Sequence, residues 1–589
     1  MKKMNRTDFL KIGTMAALSP LFVNATGNKQ TNSIDSDLMK RLIAANDKQV
    51  ALLIESVQEG KLRFSRMIAY DIAVLTASYC AVGSAYYRAP LLIQKLDLLT
   101  KFLASAQSAD GTVNVGNLES PPDTAFVIEI LCPAAEILKK EKTKDVEPIS
   151  QQLKEIILKA GEGLVVGGVH TPNHRWVISA ALSGINSLYP NKKYIDRINE
   201  WLDEGVFIDE DGHYPERSGI YSGVENTAFI TIGRLANKKE LFEPVRKNLA
   251  MYYYYIEQNG DLVTNDSRRQ DQYLSAAKPV TLFYLQYRYM AIRDNNRHFA
   301  AIAKMIEALP GFEKDILTRS LFYFLENETL QQQLPSASSL PDRYEKLFST
   351  SHLLRIKEKN VTATLFGGAD WPITIASGRS NSPDFFSYRK GNAILKYMRL
   401  STSFFSMGYF YSEGLKKVGN KYVLHKKLDI PYYQPLPKDK RNKKGDYKLS
   451  PSIDDRFWNK MDFKNRPVSN VKTLDTTITL TNTNGVIELE FVISGLKEVP
   501  VTIELCFAKG GTLTGTTAAE NNNNFLEQGT GEYSFGGDVI RFGPGNAAHK
   551  IITNLEGERY STHFGTLRTE GEHVYITGKT PFKHTLTFS

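Results

Sequence analysis

Residues 170–188 read HTPNHRWVISAALSGINSL, and residues 211–226 read DGHYPERSGIYSGVEN. In both stretches a polar segment rich in His, Asn, Arg and Tyr comes before an apolar run. The apolar residues after Arg175 recur at a spacing of three to four, which indicates a helix. Binding and catalytic groups are commonly carried on loops that a rigid scaffold holds in place. We therefore expect the functional groups of this protein in the two polar segments.

The helical spacing continues from about residue 38 to about residue 330. Four dipeptides that end in Gly divide this region at intervals of about 50 residues, a period typical of stacked helical hairpins. They are Asp110-Gly111, Glu162-Gly163, Asp211-Gly212 and Asn259-Gly260. We interpret each as a loop point, because Gly ends helices and forms turns at little steric cost. The repeat predicts either an open solenoid or an α/α toroid.

The remainder of the chain has the pattern of β-strands. Residues 336–341 (SASSLP) have the composition of a linker, and short alternations of apolar and polar residues follow, as in residues 476–480 and 486–493. The sequence NTNG at residues 482–485 supplies a turn between two of them. The length of this region suits an antiparallel sandwich of two sheets.

The N-terminus has the pattern of an export signal. Basic residues come first, an apolar stretch runs from Phe9 to Val23, and small residues follow it. No later stretch is apolar for long enough to span a bilayer, so we expect an exported protein, periplasmic or secreted, with no membrane span in the mature chain. We predict a multidomain, α-then-β fold: an export signal (1–25), an (α/α) toroid catalytic domain (38–335) and an antiparallel β-sandwich region (345–589).

The formal net charge is +9, and removal of residues 1–25 leaves +6. A moderately basic exported protein suits an acidic polysaccharide as its partner, although net charge argues for steering rather than for identity. No motif for nucleic-acid binding is present, and we interpret the basic run at residues 438–444 as a solvated loop. The sequence does not indicate an oligomeric state.

The cysteines are too few and too widely spaced for a disulfide framework or a zinc site. We interpret all three, Cys80, Cys132 and Cys506, as buried thiols. Phosphate-binding Gly-rich loops, His-x-x-Glu-His helices and Gly-x-Ser-x-Gly elbows are missing from the sequence. We therefore predict no cofactor and no metal ligand among the site residues, and the sequence leaves open a structural or charge-neutralising divalent cation.

The two polar segments together supply the groups for one reaction. They lie about one repeat apart, so stacked hairpins would place both at the same rim. The amide of Asn173 can bind a carboxylate that gains enolate character, and the neutral imidazole of His174 can accept a proton. The phenol of Tyr221 can donate to a leaving oxygen, and Arg217 can stabilise developing negative charge. This set suits β-elimination from a uronic acid, in which the proton α to the carboxylate is removed and the 4-linked sugar oxygen is expelled.

Helical hairpins and then a β-rich half, with Asn-His on one loop and Asp-Gly-x-Tyr on a later one, resemble the α/α-toroid polysaccharide lyases. Residues 211–226 are similar to the Asp-Gly-x-Tyr…Tyr-Thr-Gly-x-Tyr-Gly stretch of the hyaluronate and chondroitin lyases of polysaccharide lyase family 8. The Asn173-His174 pair is more similar to that of the alginate and heparin lyases with the same architecture. The resemblance implies that Asn173 neutralises the uronate carboxylate, that His174 or a tyrosine removes the C5 proton, and that Tyr221 protonates the leaving oxygen.

The chain departs from the family 8 pattern, because Arg217 stands in place of a His and Glu225 in place of a Tyr. His174, His213 and Tyr221 therefore compete for the role of base, and we expect a divergent family. His352 and His425 are further candidates for the site from the β region. Six residues are predicted to contact substrate: His213, Tyr214, Trp176, Glu225, Arg268 and Arg269.

The predicted function is a polysaccharide lyase acting on a uronic-acid-containing glycan, with glucuronate favoured, in a rhamnose-glucuronate polymer or a glycosaminoglycan. One alternative is an (α/α)-toroid glycoside hydrolase, which needs two carboxylates that straddle the scissile bond. The other is a non-catalytic glycan-binding protein. The site residues also have structural explanations: Asn173 can cap the helix that follows it, Tyr221 can pack, and Arg217 can pair with Glu216. No residue selects the sugar, the linkage, or internal over terminal attack.

Overall fold

The computed structural model describes residues 33–269, 271, 278–369, 382–405, 407–451, 458–520, 523–550, 552 and 570–589. The predicted export signal at residues 1–25 lies outside the described residues. Within them, no helix combines the length and the apolar character that crossing a bilayer requires.

The first half of the described chain is helical. The α-helices found there are α1 (Ser36–Ser56), α2 (Met67–Cys80), α3 (Pro90–Ser105), α4 (Pro121–Lys140), α5 (Glu147–Val166), α6 (Pro172–Leu188), α7 (Lys192–Asp203), α8 (Gly219–Leu235), α9 (Phe242–Tyr252), α10 (Tyr284–Arg293), α11 (Arg297–Glu307) and α12 (Thr318–Glu326). Helices α2, α4, α6 and α8 pack side by side as an inner layer, and α12 closes the ring against α2 and α4. This is the predicted α/α toroid, and the fold prediction is confirmed.

Inner and outer helices differ in how much of their surface is buried. In α2, residues on every side of the helix are buried, from Ile68 to Tyr79, because neighbouring helices cover it all round. In the outer helix α7 only Tyr194 and Ile198 are buried, and its other faces are charged. A helix that is apolar all round belongs to an interior and a one-sided helix belongs to a surface, so the sequence of each helix matches its layer.

The glycines of the repeat fulfil two different structural requirements. Gly111 has a φ of +91°, and a Cβ atom on it would lie 2.0 Å from the carbonyl oxygen of Lys159, so the turn requires glycine. The predicted loop point at Glu162-Gly163 is wrong, because both residues lie inside α5. A Cβ atom on Gly163 would lie 2.8 Å from the carbonyl oxygen of Asp110. This glycine therefore allows α5 to pack closely against the Asp110-Gly111 turn.

The second half of the described chain consists mainly of strands. The predicted linker at residues 336–341 lies between α12 and the first strand of this half. Four short strands, β1 (Val113–Val115), β2 (Asn117–Ser120), β3 (Asp261–Leu262) and β4 (Lys278–Pro279), belong to the toroid. The others are β5 (Arg343–Phe348), β6 (Leu353–Glu358), β7 (Val361–Phe366), β8 (Phe386–Lys390), β9 (Ala393–Thr402), β10 (Leu415–Val418), β11 (Lys421–Tyr433), β12 (Ser450–Pro451), β13 (Trp458–Asn459), β14 (Val468–Thr483), β15 (Val486–Gly495), β16 (Pro500–Phe507), β17 (Thr512–Thr514), β18 (Thr517–Ala518), β19 (Asn523–Phe525), β20 (Gly531–Phe535), β21 (Asp538–Gly543), β22 (Glu572–Lys579) and β23 (Phe582–Phe588).

These strands form the predicted sandwich. One sheet has the order β18-β19-β22-β16-β9-β8-β7-β6-β5, and the other has the order β10-β11-β14-β15-β23-β21-β20-β17. Among the described strand pairs of the two sheets, β19 with β22 is parallel and the others are antiparallel. The inward-facing residues pack across the two sheets, as where the ring of Phe386 on β8 lies 5.4 Å from that of Phe588 on β23.

A buried ion pair joins the toroid to the nine-stranded sheet. Glu257, which follows α9, accepts from the Arg355 guanidinium at 2.8 Å and from the hydroxyl of Thr362 at 2.6 Å. Arg355 also donates to the carbonyl oxygen of Tyr254 at 2.9 Å. Burial alone would raise the pKa of the Glu257 carboxyl, but the positive charges of Arg355 and Arg389 outweigh it and lower the pKa to about 2.

The turn between β5 and β6 reaches the rim of the toroid. The backbone N–H of Thr350 donates to the carboxylate of Asp211 at 2.6 Å, and the guanidinium of Arg217 donates to the carbonyl oxygen of Thr350 at 3.2 Å. The sandwich therefore contacts the same loop that the sequence indicates as functional, residues 211–217.

Candidate active site

The first predicted segment leads into α6. Pro172 occupies the first helical turn, where a missing N–H costs nothing, and Thr171 is the N-cap residue. Asn173 is one residue further on and is completely buried. Its amide nitrogen donates to both carboxylate oxygens of Glu216, at 2.8 and 3.1 Å, while its amide oxygen has no hydrogen-bond partner among the described residues. Asn173 is thus fixed against the second predicted segment and does not cap its helix.

The second segment leads into α8, whose first turn carries Tyr221. Ser218 is the N-cap, and its hydroxyl oxygen accepts from the backbone N–H of Tyr221 at 3.3 Å. The carboxylate of Asp271 accepts from the Ser218 hydroxyl at 2.9 Å and from the Gly219 N–H at 3.1 Å. A carboxylate at a helix N-terminus satisfies free N–H groups and complements the helix dipole. The direction of this first turn, and with it the Tyr221 phenol, is therefore fixed.

Arg269 joins the two helix starts. Its guanidinium donates to the phenol oxygen of Tyr221 at 3.0 Å, lies over the Tyr221 ring with the central carbon 4.1 Å from the ring centroid, and forms an ion pair with Glu216. Asn173 contacts the other side of the same carboxylate. We refer to Asn173, His174, Glu216, Tyr221 and Arg269 as the rim cluster.

His174 lies beside this network and is half-buried. Burial, followed by the charges of Arg269, His170 and Arg66, lowers the pKa of His174 to about 4, so the imidazole is neutral at neutral pH. The backbone N–H of His170 donates to Nδ1 of His174 over a long 3.4 Å. A neutral ring that accepts at Nδ1 carries its proton on Nε2. His174 therefore presents an N–H donor in this structure.

The pKa of the Glu216 carboxyl is raised above its usual value, because burial outweighs the effects of its hydrogen-bond partners. Burial raises the pKa of Glu216, whereas the Arg269 guanidinium and the Asn173 amide act to lower it. Both of those partners favour the ionised form, because each donates to the carboxylate. Glu216 thus serves as the anchor for the amide of Asn173 and for the cation of Arg269.

A second arginine lies across the cluster, just before α2. Arg66 forms an ion pair with Asp123, which also accepts from the amide of Asn117 at 3.1 Å. The Arg66 guanidinium stacks 4.5 Å from the Phe126 ring centroid and is close enough to Tyr221 and His174 for electrostatic interaction with both. Its side chain is 46% exposed, so it presents positive charge to solvent beside the rim cluster.

His213 and Tyr214 lie below the rim, away from solvent. His213 is 0% exposed, and its Nε2 lies 3.0 Å from the phenol oxygen of Tyr255. Burial lowers the pKa of His213 to about 4. Tyr214 donates to the amide oxygen of Asn226 at 2.8 Å, deep in the helical layer. Neither side chain can contact a substrate in this arrangement. Both contact other buried residues instead, so their role is in packing.

Trp176 and Glu225 are also buried. Trp176 packs against Phe229, with ring centroids 5.1 Å apart, in the core between α6 and α8. Both carboxylate oxygens of Glu225 lack a hydrogen-bond partner among the described residues. Burial, with a smaller effect from Glu216, raises the pKa of the Glu225 carboxyl well above its usual value, so the group is held neutral. The structure does not bring either residue into the rim cluster.

The two remaining predicted arginines contact backbone. Arg217 has a φ of +49° and its guanidinium reaches Thr350 in the sandwich, so it lies apart from the cluster. The guanidinium of Arg268 donates to the carbonyl oxygen of Pro215 at 3.0 Å, which holds the chain next to Glu216 in place. The cation at the centre of the cluster is therefore Arg269. Arg217, which is predicted as the catalytic cation, lies apart from it.

The two histidines proposed from the β region have different positions. His352 lies in the β5–β6 turn, two residues after Thr350, and has a φ of +56°. His425 lies on β11 in the outer sheet, where its Nε2 is 2.9 Å from the carboxylate of Asp475 and its side chain is half exposed. His352 is thus near the rim, and His425 belongs to the surface of the sandwich.

Sequence reasoning missed three residues of the site. Glu216 was expected only to pair with Arg217, and no local pattern indicates that Asp271 contacts the start of α8. Arg66 had no signal, because ring closure brings the start of α2 beside the start of α8 and no local pattern reports that contact.

In the described residues, no group of three His, Cys, Asp or Glu side chains is arranged to hold a metal ion.

The chain matches no known family profile and no curated protein sequence. Its fold, however, is similar to those of solved enzymes. Heparinase III is matched at a TM-score of 0.54 and 12% identity, over 96% of this chain and 84% of that one. The Streptomyces coelicolor A3 chondroitin AC lyase, solved in complex with chondroitin sulphate, is matched at a TM-score of 0.53 and 12% identity, over 93% and 79%.

A Paenibacillus xanthan lyase is matched at a TM-score of 0.55 and 11% identity, over 94% of this chain and 57% of that one. All three are α/α-toroid polysaccharide lyases. The resemblance that the sequence analysis stated is thus confirmed at the level of the fold. This chain has the fold of the α/α-toroid polysaccharide lyases, in a form that has diverged far in sequence.

Proposed function

We propose that this protein is a polysaccharide lyase that cleaves a uronic-acid-containing glycan by β-elimination and leaves a 4,5-unsaturated uronate. The observation that carries the proposal is the rim cluster, in which an amide, an imidazole N–H, a guanidinium and a phenol lie together at the starts of α6 and α8. Each of these groups has a task in removing a proton α to a carboxylate. The fold similarity to polysaccharide lyases supports the same reaction class.

The substrate carboxylate must carry more negative charge as the C5 proton leaves. The Nε2–H of His174 and the guanidiniums of Arg269 and Arg66 are the donors placed to bind it. Asn173 acts indirectly, because its buried amide nitrogen donates to Glu216 and so helps to hold the carboxylate that pairs with Arg269. Fixed donors of this kind stabilise an enolate-like transition state without reorganisation during the reaction. A uronate fits these donors better than a neutral sugar, because its carboxylate can accept charge-assisted hydrogen bonds from guanidinium groups.

Proton transfer is assigned to Tyr221. His213 is buried, and His174 accepts from His170 at the nitrogen that would have to act as base. In the proposed step Tyr221, ionised to the phenolate beside Arg269, takes the C5 proton, the C5–H electron pair forms the C4–C5 double bond, and the C4–O bond breaks. The phenol then returns the proton to the leaving oxygen. Arg269, 3.0 Å from the phenol oxygen, is placed to stabilise the negative charge that develops there.

Hydrolysis by paired carboxylates is less well supported by the same geometry. Glu225 is buried, Glu216 is held by Asn173 and Arg269, and Asp123 is held by Arg66 and Asn117. A hydrolase would need one of these groups to protonate a leaving oxygen and another to activate water or attack the sugar. A non-catalytic glycan-binding protein would not need the preorganised phenol and guanidinium.

The experiment is a screen of soluble glycans that contain glucuronate, iduronate or mannuronate, with a rhamnose-glucuronate polymer included. The ultraviolet absorbance of an unsaturated uronate and the number of reducing ends are followed in parallel, and Tyr221→Phe serves as the matched control. Both signals should rise with the wild-type protein and neither with the variant. Reducing ends without absorbance would show a hydrolase, and binding without either signal would show a glycan-binding protein.

A further inference from the structure

A long segment between β11 and β14 extends from the sandwich and buries almost no side chains in its described parts. Strands β11 and β14 continue past the last buried pair of their ladder and are joined by residues 434–467. We refer to residues 432–451 and 458–472 as the basic arm. Leu436 is the one buried residue in these two described ranges. A segment of this length that buries so little apolar surface contributes little to folding stability, so its composition calls for another explanation.

The arm holds most of the net charge of the protein. Residues 432–451 and 458–472 contain ten Lys and Arg against three Asp, a net charge of +7 within a chain whose total is +9. Two of the cations, Arg441 and Arg466, support the arm itself by donating to backbone carbonyl oxygens at 2.7 Å. Five lysines form no ion pair within the described part of the chain and are exposed: Lys438, Lys443, Lys444, Lys448 and Lys464.

Exposed apolar side chains lie among these lysines. Trp458 is 67% exposed, Leu449 is 53% exposed and Tyr432 is 52% exposed. The ring of Tyr433 packs against that of Phe463 at 4.7 Å, which fixes the base of the arm as a defined surface. Exposed aromatic rings beside free lysines offer both an apolar face for a sugar ring and positive charge for acidic substituents.

The arm begins at the end of the sandwich that contacts the active site. The ring of Tyr432 lies 6.0 Å from that of Phe405, just after β9. On β9, Arg399 pairs with Asp384 at 2.5 Å, and the carbonyl oxygen of Asp384 accepts from Asn265 at 2.7 Å. Asn265 lies four residues before Arg269 of the rim cluster. Residues 429–433 of β11 carry the ladder from the level of the buried Leu474 to this base, over about 16 Å at the usual rise per residue.

We propose that the basic arm is an accessory binding surface for an acidic polysaccharide, which holds a stretch of the polymer outside the cleft. This inference rests on the proposed function for the choice of polysaccharide over other polyanions. The charge complementarity is direct, because five unpaired lysines face a polymer that carries a carboxylate or sulfate on most repeating units. A long polymer bound at two places gains affinity through effective concentration, and a short oligosaccharide that fills only the cleft does not.

Binding of fluorescently labelled heparin is the test, with heparin as a soluble, highly acidic uronate polymer. All proteins carry Tyr221→Phe so that no chain is cleaved, and affinity is measured by anisotropy at low and at physiological salt. The arm variant changes Lys438, Lys443, Lys444, Lys448 and Lys464 to Ala. The matched control removes five exposed, unpaired lysines of the toroid: Lys40, Lys139, Lys142, Lys144 and Lys159.

The arm variant should lose about tenfold or more in affinity and show a shallower salt dependence, because fewer counterions are released. The toroid control should stay within about twofold, and Trp458→Ala alone should lose about threefold, since one apolar contact is removed. Equal affinity for the arm variant and the control would overturn the proposal. It would also be overturned by arm-dependent binding that is as tight for duplex DNA or for phosphatidylserine vesicles. Because no turnover is measured, a failure of the lyase assignment would be seen separately, in the ultraviolet screen.

Discussion

Tyr221 and Tyr214 lie seven residues apart in one segment, yet their surroundings are opposite. Tyr221 contacts Arg269 at the rim, whereas Tyr214 donates to Asn226 inside the helical layer. Tyr221→Phe should lower kcat by about 100-fold or more, the usual contribution of a group that transfers a proton. Tyr214→Phe should leave kcat nearly unchanged and lower the free energy of unfolding by about 1 kcal/mol, because a buried amide loses its partner.

The two variants are compared by initial rate and by thermal unfolding in one buffer. They have the same change in side-chain chemistry, a lost hydroxyl, so the comparison isolates position. If Tyr221→Phe kept full turnover, or if Tyr214→Phe lost as much activity as Tyr221→Phe, the rim cluster would not be the catalytic site.

Substitutions of His174 test whether its imidazole acts as a base or as a hydrogen-bond donor. With Nδ1 occupied by the His170 N–H, the ring donates from Nε2, and a glutamine amide can replace that donor. His174→Gln should therefore keep activity within about tenfold, whereas His174→Ala should lose about 100-fold. The measurement is kcat for both variants on the best glycan from the screen. An equal, large loss in both variants would transfer the role of base from Tyr221 to His174.

Sequence patterns identified the segment of the site better than the direction of each side chain. Asn173, His174 and Tyr221 lie at helix starts, where an apolar run begins, and that boundary is readable. Whether the neighbouring His213 or Arg217 points to the cleft depends on turns that local composition does not specify. The left-handed backbone at Arg217, with a φ of +49°, directs its side chain to the sandwich. Arg269 takes the position at the cluster because residues 264–269 fold back over the start of α8.

At the scale of elements, the N-terminus of α8 is the structure that places the phenol. Asp271 accepts from Ser218 and Gly219 there, so Asp271→Ala should leave the Ser218 hydroxyl and the Gly219 N–H without this acceptor. We expect a loss of about 1 kcal/mol in the free energy of unfolding. We also expect kcat to fall about tenfold with little change in KM, because a small displacement of a catalytic group is costly.

Asn191→Ala is the matched control for this positioning role. Asn191 caps the outer helix α7 by accepting from the Lys193 N–H at 3.2 Å, so its loss should cost similar stability without affecting kcat. Asp271→Asn, which keeps an oxygen for the Gly219 N–H, should restore most of the activity. If all three variants had the kcat of the wild type, the cap would matter only for stability.

For a physical reason, the sequence predicts more about the packing of the helices than about the pairing of the strands. The distribution of apolar residues around a helix reports its layer, because neighbouring helices cover α2 on every side whereas the outer helix α7 buries one side. The start of α8 was less readable, since Gly219, Tyr221 and Gly223 interrupt the apolar pattern where the site is built. In the sandwich, alternation predicts strands but not their partners, and the crossings of β9, β16 and β22 come from contacts distant in sequence.

At the scale of the whole molecule, the toroid and the sandwich share the buried pair of Glu257 and Arg355. The folded-state pKa of Glu257 is about 2, below the ordinary value of about 4.3 for an unfolded chain. The pair therefore contributes its full stability above about pH 4.3 and loses it as the pH falls through about 2. As the pH falls from about 4.3 to about 2, the free energy of unfolding of the wild type should decrease. The slope should correspond to about one proton taken up by this group on unfolding.

Glu257→Gln removes the titrating group and leaves the Arg355 guanidinium buried without its counter-charge. We expect the variant to lose about 3 kcal/mol at pH 7, as is usual when one partner of a buried pair is removed, and to depend less on pH between about 4.3 and 2. Denaturant unfolding at a series of pH values measures both effects. The control is Glu498→Gln, whose partner Lys579 is on the surface, and it should change stability by less than about 1 kcal/mol. A pH dependence equal to that of the wild type in Glu257→Gln would show that the acid sensitivity of the fold in this range comes from other carboxylates.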